Sequence, residues 1–242
     1  MTIASRFQAA LEDVDEPDLG GPELLPVRLA RACARMLTVD GAGLSLCPTG
    51  AEWVPLGASS ENAAHAERLQ FTVGRGPCTT VRETGQPLFA VAEDLHRRWP
   101  VFTDLLFGAT PYRAVVALPL QLSLAGAGAL DLYFEDQNRV TDMEVFEAIA
   151  VGELVTSALN DAAVWSTWEP GRGPQWLHGS TPERRAAVWE AMGKVALHLG
   201  VDVPEALALI RARAYSAGRT ADDVAADLLT GTLAAEDLRL AS

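Results

Sequence analysis

The chain has 242 residues, enough for one or two domains. Its 49% apolar and 21% charged content sits near the globular average and excludes a mostly disordered chain. A net charge of −13 argues against a general binder of nucleic acid or anionic membrane. No run of 18 apolar residues occurs, so no membrane span is expected. Acidic residues stand where a signal peptide would be apolar, and Cys33, Cys47 and Cys78 form no C-x-x-C. Both features fit a reducing cytoplasm.

Residues 1–21 read as an acidic N-terminal helix and extension, closed by Gly20-Gly21-Pro22. Leu25, Leu29, Ala32, Cys33 and Met36 recur at helical spacing. Ala42–Cys47 then reads as a strand stopped by Pro48-Thr49-Gly50, with Trp53–Ala58 as its hairpin partner. Ala63–Leu69 and Thr79–Glu83 are expected helices, Leu88–Val91 a strand, and Asp94–Phe107 a helical or irregular stretch around Trp99-Pro100. Ala114–Leu122 and Ala127–Phe134 form a second antiparallel pair. Thr141 is expected to cap a long helix running to about Ala163. Short loops between paired strands imply an antiparallel sheet flanked by helices, an α+β fold.

Residues 165–180 carry two Pro, three Gly, Trp165, Trp168 and Trp176. They read as a linker whose rings pack against a domain or a second subunit. Residues 181–235 read as an all-α module of short helices. Thr181 is expected to cap the first and Gly200 to end it. The second runs from about Pro204 to Gly218. The third opens with Thr220-Ala-Asp-Asp223, close to a capping box. A terminal helix over Leu233–Leu240 follows. Gly74-x-Gly76-Pro77-Cys78 lacks dinucleotide-site spacing and reads as a turn; Cys78 sits at a helix N-terminus, which can lower a thiol pKa. The histidines form no metal-ligand pair and no P-loop occurs, so neither a metal site nor a catalytic site is expected.

Ala191-x-Gly193, Glu205-Ala206, Arg211 with Ala214, and Asp223-Val224-Ala225 occur in the order typical of the ANTAR domain, which residues 180–232 resemble. Residues 22–164 resemble the GAF domains that precede ANTAR in actinobacterial proteins. The motifs are Val39-Asp-Gly-Ala-Gly-Leu-Ser-Leu46, Gly74-Arg-Gly-Pro-Cys78, Trp99-Pro100-x-Phe102, Ala117-Leu-Pro-Leu120 and Gly128-Ala-Leu-Asp-Leu-Tyr133. The resemblance implies a GAF sensor for a small ligand of unknown identity. It further implies a homodimer that binds paired RNA stem-loops through the ANTAR helices and so acts in transcription antitermination. The cations available for RNA are Arg184, Arg185, Lys194, Arg211, Arg213 and Arg219. Two features depart from the family: Met192 replaces its usual lysine, and Val203 stands where the second helix is usually capped, with Asp202 one place early. Residues 182–231 carry a net charge of −1, unfavourable for phosphate neutralisation. The alternative is a sensing or protein-interaction homodimer whose ANTAR-like part does not bind RNA.

Overall fold

The computed structural model describes residues 2–14, 17–47, 53–122, 126–165 and 173–239, without the side chains of residues 17 and 165. Two N-terminal helices, α1 (Ile3–Asp13) and α2 (Leu25–Met36), lead into strands β1 (Gly41–Cys47) and β2 (Val54–Ala58). Helices α3 (Glu61–Val73) and α4 (Pro77–Thr84) precede β3 (Leu88–Ala90). Next come α5 (Ala92–Arg98), α6 (Pro100–Ala109), β4 (Ala114–Leu122) and β5 (Gly126–Phe134). After α7 (Arg139–Asp142) and α8 (Val145–Trp165), the chain ends in α9 (Ser180–Leu199), α10 (Val203–Ser216) and α11 (Ala221–Thr230).

The sheet has the order β2-β1-β5-β4-β3, and every pairing is antiparallel, as the short loops imply. Successive side chains of a strand point to opposite faces. Ala42, Leu44 and Leu46 of β1 and Leu130, Leu132 and Phe134 of β5 therefore face α2 and α8. Ala129 and Tyr133 of β5 face the opposite layer, formed by α3 to α6. Both faces are covered, so the strands are buried along nearly their whole length. Arg6 of α1 pairs with Glu147 of α8, joining the outer helices.

Local chemistry shifts several expected boundaries. Thr141 does not cap the long helix: its hydroxyl donates to the Asn138 carbonyl at 2.7 Å within α7. Met143 is extended, and α8 starts afresh at Val145. Between α5 and α6 the break is at Trp99 (ψ 62°), because a residue before proline avoids the helical region. Helix α9 starts at Ser180 after Gly179, earlier than the Thr181 cap expected. Asp202 is the true cap of α10, accepting from the Glu205 amide at 2.7 Å, so the helix begins one residue early and Val203 is inside it. The Thr220–Asp223 capping box does form, at 3.0 and 3.2 Å. The last helix is only a 3-10 turn, Ala235–Leu238.

Trp176 is 2% exposed and packs among α1, α2 and α8. Pro48-Thr49-Gly50, Trp168 and the ring of Trp165 lie outside the described residues. The three C-terminal helices pack on one another through Val188, Val195, Ile210, Val224 and Leu228. Their core continues into the α3–α6 layer: α10 and α11 meet α3, and α9 meets β2.

Candidate functional site

Two groups of polar side chains stand out, and α3 carries part of each. The first lies between α3 and the sheet. Residues three apart on a helix share a face, so Glu67 and Gln70 both point toward β5. Gln70 donates from Nε2 to Asp131 at 2.6 Å and to the Tyr133 hydroxyl at 3.2 Å. That hydroxyl donates to Glu67 at 2.7 Å. Gly43 in β1 makes this possible: a Cβ there would lie 2.3 Å from the Glu67 carboxyl. Tyr112 stacks on Tyr133 at 4.9 Å between centroids.

All these groups except the Tyr112 hydroxyl end are out of water, and burial disfavours charge. Burial, reinforced by the negative Asp131, pushes the Glu67 carboxyl well above the usual carboxylate range. Burial also pushes Asp131 up to about 7. Glu67 Oε2 and Asp131 Oδ1 receive no hydrogen bond from an N–H or hydroxyl donor. A proton shared between the carboxyls supplies the missing donor, as expected when two buried carboxylates meet.

Gln70 also accepts from the Cys78 amide at 3.1 Å, which connects the cluster to a cavity. This cavity, of about 220 Å³, is lined by Ser45, Trp53, Cys78, Thr79, Arg82 and Ala129, among others. Arg82 donates to the Cys47 sulfur at 2.6 Å in its wall. Cys78 does not have the lowered pKa its helix N-terminus suggests: burial, with Asp131 and Glu67 nearby, pushes the thiol well up. Among the described residues no group of three His, Cys, Asp or Glu is placed to hold a metal ion. No helix there is long and apolar enough to cross a membrane.

The second group holds the six cations. Arg185 is fully buried (0% exposed), with its guanidinium 3.2 Å from the Phe71 ring centroid and 3.4 Å from Asp222. The neighbouring Glu183 was the partner suggested by sequence; the structure supplies Asp222 instead. Arg211 also lies over Phe71, at 4.5 Å, and donates Nε to the Phe71 carbonyl at 2.9 Å. Lys194 donates to the Leu228 carbonyl of α11. Arg219 pairs with Asp227 at 2.6 Å. Arg184 is exposed and Arg213 partly so. The six thus divide between a buried seam against α3 and the outer surface. On that surface Trp189 and Leu197 (83% exposed) flank Gly193, whose missing Cβ would meet nothing within 4 Å.

No family model matches the chain, and no curated protein matches it. Solved structures similar to it include the GAF domain of a phosphoenolpyruvate-protein phosphotransferase from Coxiella burnetii. That match has 16% identity and a TM-score of 0.44, and covers 66% of this chain and 90% of that one. The corresponding Acinetobacter GAF domain has 8% identity and a TM-score of 0.41, covering 69% and 97%. Escherichia coli SdiA has 14% identity and a TM-score of 0.42, covering 95% and 98%.

Proposed function

We propose that the chain is a regulator, not an enzyme. Its α+β part is a GAF-type sensor for a small ligand, and its C-terminal helices form an ANTAR-type module that binds paired RNA stem-loops as a homodimer in the cytoplasm. Binding of this kind hinders terminator formation, and α8 is the natural route between the parts. One observation carries the reading. The ordered ANTAR-like motifs fall on the joints of the bundle: Ala191 of α9, Ala206 of α10 and Ala225 of α11 are each fully buried, while Trp189, Gly193 and Leu197 look outward. A close-packed three-helix crossing needs small residues inside, and an outer face free of packing demands is available to a partner.

The second reading, a sensing homodimer whose ANTAR-like part does not bind RNA, draws support from Arg185 and Arg211, which are turned into the protein. The two readings differ in what the outward cations do. The double variant Arg184→Gln/Arg213→Gln should keep its fold, since neither residue is buried. Under the RNA reading it weakens binding to a labelled tandem stem-loop RNA and lowers the salt slope by about two, one for each lost phosphate contact. Fluorescence anisotropy at several salt concentrations reads both. An unchanged affinity and slope would contradict phosphate contact by these residues.

A further inference from the structure

Three residues in the last turn of α3 and its cap meet all three C-terminal helices. Phe71 lies under Arg185 of α9 and Arg211 of α10. Thr72 accepts, through Oγ1, the amide hydrogen of Ala221 at the start of α11, at 2.9 Å. Gly74 ends α3 in a left-handed conformation (φ +76°), and a Cβ there would lie 3.2 Å from the Arg211 guanidinium. The backbone turn and the room for the arginine thus both favour glycine. One turn earlier, Glu67 and Gln70 of the same helix hold the buried carboxyl cluster beside the cavity.

We propose that this turn of α3 is an autoinhibitory latch. It holds the C-terminal bundle against the sensor with Arg185 and Arg211 withdrawn over Phe71, and a displacement of α3 at the cavity releases the bundle and both cations. The inference deepens the RNA reading and rests on it for the role of the freed cations; the docking contact itself does not. Arginine over an aromatic ring out of water is a favourable contact, but it is lost as soon as the ring moves. A helix whose two ends serve the cavity and the bundle couples them as a rigid element.

The test uses the full chain in a Cys47→Ser background, with spin labels at Glu93→Cys on α5 and Leu197→Cys on α9, both exposed. The latch predicts one narrow distance distribution for the parent chain. It predicts a second, longer population in Phe71→Leu and in Thr72→Val, which keep every cation. Thr72→Val preserves side-chain shape, so the test survives if Phe71→Leu fails to fold. Both variants should bind the labelled tandem stem-loop RNA at least fivefold more tightly. Unchanged distances in the folded variants would overturn the latch. Longer distances without RNA binding in any variant would uphold the latch and overturn the RNA reading.

Discussion

Replacing Arg185 with alanine should destabilise the chain by about 3–5 kcal/mol, the usual effect of breaking a buried ion pair. The side chain is wholly out of water, faces Asp222 at 3.4 Å and lies over Phe71. Alanine leaves the Asp222 carboxylate buried without this counter-charge, and burial already pushes its pKa up against the pull of Arg185 and Arg68. The cation–π contact is lost as well. The double variant Arg185→Met/Asp222→Leu should recover most of the loss, because apolar side chains of similar volume satisfy such a site without desolvating charge. Urea denaturation of both variants and of Arg184→Ala checks this. Equal effects of Arg184→Ala and Arg185→Ala would contradict the placement of Arg185.

Stability should also fall as the pH rises from about 4 to about 7. In the unfolded chain Asp131 loses its proton near 3.8; in the folded chain it holds it to about 7. Between these values the folded state binds more protons, so stability declines with pH and levels off above the folded pKa. For Asp131 the total is at most ~4 kcal/mol. Glu67, raised mainly by burial, acts in the same direction. His65 acts in the opposite one, because burial holds it below its ordinary value. The readout is therefore the difference between wild type and Asp131→Asn, measured by urea denaturation from pH 5 to 8. The wild type should lose stability relative to the variant across this range. Parallel curves would show that Asp131 ionises at its ordinary value.

Much of the scaffold is legible in the sequence because local rules decide it. Alternation in residues 42–47 and 127–134 marks the strands, and Gly200, Gly218 and Gly231 mark helix ends, each with positive φ. Boundaries set by competing hydrogen bonds are less legible: Thr141 can either cap a helix or bond backward, and only the fold chooses. The polar cluster left a faint trace. Asp131 is a lone acid within an apolar strand, and Glu67 and Gln70 share a helix face, but their meeting is tertiary. Arg185 left a clearer one: it falls at the spacing of the apolar stripe Val188, Met192 and Val195, which places it inward. Reading it as a first-turn surface arginine gave weight to charge over period. Cys78 shows the same competition, with burial outweighing the helix terminus.

The central claim is that the C-terminal helices hold RNA through its phosphates. The most direct test is an anisotropy titration of the folded wild-type chain with tandem stem-loop RNA at 50 and 200 mM salt. With about four phosphate contacts per dimer, affinity should fall roughly 100-fold between the two. Absence of binding at the lower salt, or equal binding at both, would contradict the claim.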